Sequence, residues 1–272
     1  MGEICKICNG TKMILNKENI PIPCECLKKA RLESIYKQIG IPIRFMGSNL
    51  EDYLLKQDAH GKDIDPISES KKTVARSVVK KFIDSLPNMI DGEPFSFEIE
   101  GKGEVKSFTL LMMGQEHSGK SMLSACIAKE AIKKNILSFY LEWAEIINLC
   151  YDYYSDASSR NKTKIEKYEK IISIVESDKL LIIDNFSSVY ENNNKFEEDK
   201  ITSNVRRQID AMFSERSKKA APTVIATNQS LKELISDNKY GPVFLSIIED
   251  SIKIDLPTLG KSFNNFDIKK VN

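Results

Sequence analysis

The chain of 272 residues lacks a long hydrophobic run, an excess of charge and an internal repeat. No apolar stretch approaches the roughly 20 residues of a membrane span, and the opening residues, MGEICKICNG, lack the long apolar centre of a signal peptide. A net charge of +1 provides no global field for nucleic acid, so any such binding depends on a local patch. We therefore expect a globular protein without membrane contact, in the cytoplasm of its own cell or, if viral, of a host.

Four of the six cysteines form two pairs near the amino terminus. Cys5 and Cys8 form C-x2-C, and Cys24 and Cys26 form C-x-C after 15 intervening residues. Clustered cysteines in a chain without a secretory signal more often hold a metal than form disulfides. Four thiolates close a tetrahedral zinc site without an open position for water, so the pattern predicts a structural Zn²⁺. Unrelated buried or free thiols are the alternative.

Two amphipathic helices are predicted in the first third of the chain, at about residues 27–39 and 70–86. The polar, breaker-rich stretch DAHGKDIDPISES lies between them and predicts a boundary near residues 57–68. We therefore expect an amino-terminal zinc-binding module with a helix at residues 1–57 and a larger domain at residues 68–272.

Apolar runs alternate with helical segments in the larger domain. The runs are FTLLMM, ILSFYL, KLLIID, TVIAT and IKIDL. This alternation predicts an α/β fold with a mostly parallel sheet flanked by helices. Cys126 and Cys150 stand alone on apolar helical faces, and Tyr140 and Trp143 lie in or near a strand, so all four are predicted core residues.

The stretch GQEHSGKS lies between a predicted strand and a predicted helix and matches the phosphate-loop pattern G-x4-G-K-[ST]. Gly119 lets the backbone wrap closely, so that amide N–H groups and the helix amino terminus face the phosphates. Lys120 is expected to reach the β- and γ-phosphates and Ser121 to ligate Mg²⁺, whereas His117 is expected to be tolerated rather than catalytic. The predicted nucleotide-binding residues are Gly114, Gln115, Glu116, His117, Ser118, Gly119, Lys120, Ser121 and Asp184.

Two later strands end in polar residues that suit the same site. Asp184 is expected to hold the Mg²⁺ shell; a strand-end acid that caps a helix is the alternative. Asn228 is the candidate sensor beside the γ-phosphate, with a turn-forming asparagine as the alternative. ATP-hydrolysing machines of this type usually carry a second acid after the first, but Asn185 follows Asp184, and its carboxamide cannot take a proton at neutral pH. Losing a general base slows a reaction by about 10²–10⁴, although Glu116 is an alternative base.

With these motifs the chain resembles the DnaC/DnaI-like helicase loaders and the related IstB-like transposition ATPases of the AAA+ class. The resemblance covers nearly the whole length and rests on CKICNGT…PCECLKKARLE, IGIPIRF…LEDY, the phosphate loop, LLIID and SERSKKAAPTVIATN. It implies an AAA+ core that binds ATP and single-stranded DNA, and a cysteine module that grips a replicative hexameric helicase. IstB-like proteins usually lack that module, which favours the loader.

The chain departs from this family at two arginines. The family carries one arginine in the helix before the last strand and one in a closing S-[YF]-R, where this chain has Ile247 and Asn264. The first reaches a neighbouring subunit's nucleotide, so its absence disfavours hydrolysis driven by self-assembly; homo-oligomerisation and assembly on a helicase both stay open. Arg216 is a candidate substitute, and the alternative is that Arg216 and Lys218 complement the dipole of their helix.

A stretch between the second and third strands of the ATP-binding domain mixes aromatic and basic residues, which suits single-stranded DNA because bases stack and phosphates attract cations. A solvated loop is the alternative. The candidates are Tyr151, Tyr153, Tyr154, Arg160, Lys162 and Lys164.

The sequence favours an ATP-controlled helicase loader with slow or absent hydrolysis. Three alternatives remain: a transposition helper whose partner is a transposase, a phosphate-loop kinase or metabolic ATPase acting on a small molecule, and a nucleotide-bound scaffold without turnover.

Overall fold

The structure, a computed structural model, describes residues 4–54, 64–99, 103–155, 162–186, 203–236 and 240–257. The chain divides into two compact units after Gly47. The boundary predicted at residues 57–68 stays a prediction, since most of it lies outside the described residues. Within the described ranges, no helix is long and apolar enough to cross a membrane.

The first unit consists of a small hairpin followed by a helix. Strands β1 (Met13–Leu15) and β2 (Pro21–Pro23) pair antiparallel, and helix α1 (Glu25–Gln38) follows. The Asn16 side chain closes the hairpin by accepting two backbone N–H groups of the turn, each at 2.9 Å. Asparagine is favoured in turns because it makes such local bonds.

The second unit begins with a 3-10 segment, Leu50–Leu54, and helix α2 (Pro66–Ile90). Helix α2 starts earlier than predicted because Asp65 caps it, accepting the backbone N–H of Ser68 at 2.9 Å, and because proline suits the first helical position. An antiparallel hairpin that the sequence did not predict follows, formed by β3 (Phe95–Ile99) and β4 (Gly103–Ser107).

The central sheet consists of five strands: β5 (Thr109–Met113), β6 (Ser138–Glu142), β7 (Leu180–Phe186), β8 (Thr223–Thr227) and β9 (Ile252–Asp255). The strands are parallel and lie in the order β6–β7–β8–β5–β9. All five predicted strands are confirmed. Because β8 lies between β5 and β7, the carboxyl ends of these three strands meet at one edge, which we call the carboxyl edge.

Helices flank this sheet, as the predicted α/β fold class requires. The four predicted core residues, Cys126, Cys150, Tyr140 and Trp143, are all buried. The flanking helices are α3 (Lys120–Lys133), α4 (Trp143–Ser155), α5 (Lys162–Val175), α6 (Ser203–Lys218), α7 (Leu231–Ser236) and α8 (Pro242–Glu249).

Candidate nucleotide-binding site

The phosphate loop joins β5 to α3, as predicted, and its two glycines are conformationally required. Gly119 is the N-cap of α3 with φ 92°, and Gly114 has φ 156°. A Cβ at Gly114 would meet the backbone oxygen of Leu256 at 2.7 Å. Helix α3 therefore begins directly after a loop that requires glycine at both positions, which is a common arrangement for binding anions.

Lys120 is buried in this loop and bonded to its oxygen atoms. Its Nζ donates to the carbonyls of Gly114 and Gln115 at 2.7 and 2.8 Å, and to Ser118 Oγ at 3.2 Å. Burial lowers the pKa of Lys120 to about 8, while the charge of Asp184 opposes the shift. The ammonium thus interacts with neutral partners that stronger phosphate ligands are able to replace.

Asp184 lies on β7 at the carboxyl edge and is 1% exposed. Tyr140 donates its hydroxyl hydrogen to Oδ2, whereas Oδ1 is buried and has no hydrogen-bond partner among the described residues. A buried carboxylate oxygen without a donor is unfavourable unless a cation completes it. The unpartnered oxygen, with the Ser121 hydroxyl in the first turn of α3, is a donor set that fits Mg²⁺.

Asn185 occupies a bulge rather than an ordinary strand position. Its φ is 54°, and the pairing of β7 with β8 shifts register between Ile183 and Phe186. Asparagine enters this left-handed region more easily than most residues. The residue that replaces the usual second acid therefore also suits the local backbone, which no spacing rule in the sequence indicated.

Asn228 directly follows β8, the strand between the one that leads into the phosphate loop and the one that carries Asp184. The turn there is fixed by Thr227, whose Oγ1 donates to the Phe186 carbonyl at 2.8 Å and accepts the Gln229 N–H at 3.1 Å. This places Asn228 at the carboxyl edge, half-buried, while its role as sensor stays a prediction.

Tyr53 belongs to the same site and was missed. Its ring edge lies 2.7 Å from the position of a Cβ at Gly119, and its hydroxyl donates to the Ser118 carbonyl at 3.3 Å. Tyr53 is 1% exposed. The residue occurs in the stretch LEDY, but a contact with a loop 65 residues away leaves no local signal.

Gln115, Glu116 and His117 are exposed on the phosphate loop, and Ser118 is buried beneath them. His117 adopts φ 62°. The structure thus gives His117 a surface position in a turn, and it places Glu116 close enough for its charge to raise the pKa of Lys120.

The position of Arg216 contradicts its predicted role as a substitute for the arginine that reaches a neighbouring subunit's nucleotide. Its guanidinium is buried at the opposite, amino edge of the sheet, and its five N–H donors make five hydrogen bonds. A side chain held in this way cannot reach a neighbouring subunit's nucleotide, so the prediction of a catalytic Arg216 is wrong. The acceptors are Thr223 Oγ1 and the carbonyls of Val175, Ser177, Lys179 and Pro222.

Arg216 also lines a cavity of about 730 Å³ at this amino edge. The cavity is remote from the phosphate loop, and the guanidinium in its wall has no donor left for a ligand. Ile247, at the position of the family's arginine, lines the same cavity and packs against the hydrophobic core. The position of the second missing arginine, Asn264, lies outside the described residues.

The four amino-terminal cysteines come together in the first unit, with their Sγ atoms within 4.8 Å of one another. The Sγ atoms of Cys8 and Cys26 are 3.4 Å apart, and those of Cys5 and Cys24 are 3.9 Å apart. Sulfurs around one tetrahedral zinc lie about 3.8 Å apart, given a Zn–S distance near 2.3 Å. The backbone N–H groups of Cys8 and Ile7 lower the pKa of Cys5, whereas the hydrogen bond with the Cys8 thiol raises the pKa of Cys26.

The predicted DNA-contacting tyrosines are half-buried and make contacts within the protein. The Tyr153 ring stacks on the Tyr168 ring with centroids 3.9 Å apart, and the Tyr154 hydroxyl donates to Gln208 Oε1 at 2.9 Å. Tyr151 also packs against the core. Contact of these tyrosines with single-stranded DNA stays a prediction.

Two of the three basic residues predicted to contact DNA lie within the described residues. Lys162 and Lys164 are exposed on α5, and Lys162 lies 3.8 Å from the Glu166 carboxylate. Arg160 lies outside the described residues. Contact of Lys162 and Lys164 with nucleic acid stays a prediction.

The fold is similar to that of solved replication proteins. AMPPCP-bound DnaA from Aquifex aeolicus is 13% identical over 80% of this chain and 51% of that chain, with a TM-score of 0.51. A replication initiator DnaA bound to AMPPCP and single-stranded DNA is 13% identical over 80% of this chain and 51% of that chain, with a TM-score of 0.50. The DnaC helicase loader is 16% identical over 79% of this chain and 99% of that chain, with a TM-score of 0.50.

These likenesses show the fold: the chain shares with these proteins an α/β core with a parallel sheet flanked by helices. The chain spans about half the length of the DnaA chains that it matches. No protein-family model and no curated protein sequence matches it.

Proposed function

We propose that this protein is a replication factor of the helicase-loader type that binds Mg-ATP at the carboxyl edge and uses it as a switch. The observation that carries the proposal is the pair formed by Lys120 and Asp184. The buried ammonium of Lys120 donates to loop oxygens that a phosphate can replace, and one buried oxygen of Asp184 has no hydrogen-bond partner in the described part of the chain. The AMPPCP bound to the two DnaA structures of similar fold supports a nucleotide here.

Each residue at this edge has a role in nucleotide binding. Lys120 exchanges its loop carbonyls for the β- and γ-phosphates, and the loop amides and the amino terminus of α3 bind the same anion. Ser121 and Asp184 hold Mg²⁺, which supplies charge neutralisation to the phosphates when bound. Asn228 contacts the γ-phosphate from the central strand.

Hydrolysis is slow or absent in this proposal. An attacking water needs a group that orients it or takes its proton, and the Asn185 carboxamide cannot take one. Arg216 is bonded within its own subunit, so it supplies no charge to a neighbouring nucleotide. The protein therefore retains nucleotide binding and the conformational signal that binding gives, although it hydrolyses ATP slowly or not at all.

A turnover assay on Asn185 variants tests the slow-hydrolysis proposal. Asn185→Asp restores a carboxylate and tolerates the left-handed backbone, so we expect turnover to rise about tenfold or more. Asn185→Gly is the matched control, because it fits the backbone without adding a base. Wild-type turnover comparable to an ordinary AAA+ motor, unchanged in Asn185→Gly, would contradict the proposal.

The first unit binds the partner in this proposal, and zinc organises it. Its short elements bury little apolar surface, so a metal held by Cys5, Cys8, Cys24 and Cys26 supplies much of its folding free energy. We expect about one zinc per chain, released by a thiol-modifying reagent, and loss of that zinc in Cys8→Ser but not in Cys126→Ala. Protein produced with zinc available but containing none would rule out the site.

Association with a replicative hexameric helicase is the direct test of the loader function. We expect the full chain to co-purify with the helicase in Mg-ATP, and Cys8→Ser to lose this association while the ATP-binding unit stays folded. Capture of a transposase in place of the helicase would identify a transposition helper. Failure to bind the helicase in any nucleotide state would overturn the loader proposal.

Single-stranded DNA is the second proposed ligand, through a basic rather than an aromatic surface. Lys162 and Lys164 are exposed, and phosphate contacts of this kind weaken steeply with salt. Reversing both charges is expected to reduce DNA affinity severalfold and to flatten its salt dependence. DNA binding unaffected by the double reversal would exclude this surface.

A further inference from the structure

Tyr140 is the neighbour that determines which oxygen of Asp184 is available. In the pairing of β6 with β7, Tyr140 lies opposite Ile182, and Glu142 lies opposite Asp184. Side chains two residues apart on a strand share a face, so Tyr140 and Asp184 are diagonal neighbours on one face of the sheet. The Tyr140 hydroxyl spans this diagonal and donates to Asp184 Oδ2.

The two carboxylate oxygens are consequently different. Oδ2 has a donor, while Oδ1 is buried and has no hydrogen-bond partner among the described residues. Both side chains are nearly inaccessible, with Tyr140 2% and Asp184 1% exposed, so water is a poor substitute for the phenol. A phenylalanine would fill the same space and leave both oxygens unpartnered.

We propose that Tyr140 is a positioning residue for the magnesium shell: it fixes the Asp184 carboxylate so that Oδ1 alone faces Mg²⁺ or its bound water. This inference rests on the proposed binding of Mg-ATP. Tyr140 acts through Asp184 and does not touch the nucleotide. Partners that orient a ligating carboxylate in this way typically change metal affinity by about 10- to 100-fold.

A purely structural Tyr140 would behave differently. Removing a hydroxyl that only satisfies a buried acid lowers the stability of the whole domain, and it weakens ATP binding to the same extent with and without metal. A positioning role affects only the metal-dependent part of binding. The two roles are therefore separated by the Mg²⁺ dependence of ATP affinity rather than by activity.

The experiment measures equilibrium ATP binding by the full chain in EDTA and across a Mg²⁺ titration. For Tyr140→Phe we expect the half-saturating Mg²⁺ concentration to rise about tenfold or more, with ATP affinity in EDTA within about twofold of wild type. Tyr168→Phe is the matched control, since Tyr168 is also buried and hydrogen-bonded but lies on α5 against Tyr154. It should leave the Mg²⁺ titration unchanged.

A double-mutant cycle shows whether Tyr140 acts through the acid. In an Asp184→Ala background, Tyr140→Phe should have no further effect on the Mg²⁺ titration. If wild type binds Mg-ATP and Tyr140→Phe leaves its Mg²⁺ dependence unchanged, or changes it equally without Asp184, the inference is overturned and the proposed function stands. If wild type binds no ATP with or without Mg²⁺, both fail together.

Discussion

The two edges of the central sheet each contain a buried cation, Lys120 at the carboxyl edge and Arg216 at the amino edge. The two side chains are 6% and 2% exposed, and burial lowers the pKa of each. Both donate hydrogen bonds to backbone carbonyls. By burial and pKa alone the two sites are indistinguishable.

The hydrogen-bonding partners of Lys120 and Arg216 distinguish the two sites. Among the described residues, Lys120 donates hydrogen bonds to atoms of its own loop, and Asp184 lies nearby with one oxygen that has no hydrogen-bond partner there. Arg216 joins the segment before β7 to the start of β8, and its five donors are all used. Lys120 is suited to bind a ligand, because its local partners can be replaced and an acid with a free oxygen position lies beside it. Arg216 instead stabilises the fold, because all its donors are used and they link distant segments.

The largest expected effect is the loss of stability on replacing Arg216. Arg216→Ala leaves four carbonyls and a hydroxyl without their donor, and we expect the free energy of unfolding to fall by about 3–5 kcal/mol. Chemical denaturation measures this, with the exposed Lys218→Ala on the same helix as control, expected within about 0.5 kcal/mol of wild type. An Arg216→Ala protein of wild-type stability would show that the two cations do not differ as described.

The next effect is the pH dependence of ATP affinity, which should follow Lys120. Its pKa in the free protein is lowered to about 8, and bound phosphates favour the charged form. Binding therefore takes up a proton above that pH, so affinity should be level below about pH 7 and fall by up to about tenfold per pH unit above pH 8. ATP titrations from pH 6.5 to 9.5 measure it, and an affinity that rises across this range would contradict the assignment.

The smallest effect concerns Tyr53, which covers the loop that holds Lys120. Tyr53→Phe keeps the ring against Gly119 but loses the bond to the Ser118 carbonyl, worth about 0.5–1.5 kcal/mol. We expect ATP affinity to fall by about two- to tenfold, while Tyr168→Phe leaves it unchanged. Equal losses in the two variants would mean that the bond at the loop has no specific role.

The sequence predicted most of the carboxyl edge and little of the amino edge. Hydrophobic periodicity located all five strands of the sheet, and the loop pattern located Lys120, because both signals are local. Arg216 was misinterpreted because its acceptors come from two separate segments, residues 175–179 and residues 222–223, and such contacts leave no pattern around residue 216.

Other parts of the site escaped prediction for related reasons. The β3–β4 hairpin has short strands of mixed polarity, and its register depends on pairing rather than on periodicity. The left-handed backbone at Asn185 and the bond from Tyr140 to Asp184 depend on adjacent strands. Tyr140 was correctly predicted to be buried, but burial alone did not indicate what its hydroxyl does.

Equilibrium binding of Mg-ATP to wild type, Lys120→Ala and Lys218→Ala is the most direct test of the central claim, that the carboxyl edge is the nucleotide site. The account predicts one saturable site per chain in wild type and in Lys218→Ala. It predicts loss of that site in a Lys120→Ala protein that remains folded. Equal binding by folded Lys120→Ala and wild type, or no saturable binding by folded wild type, would contradict it.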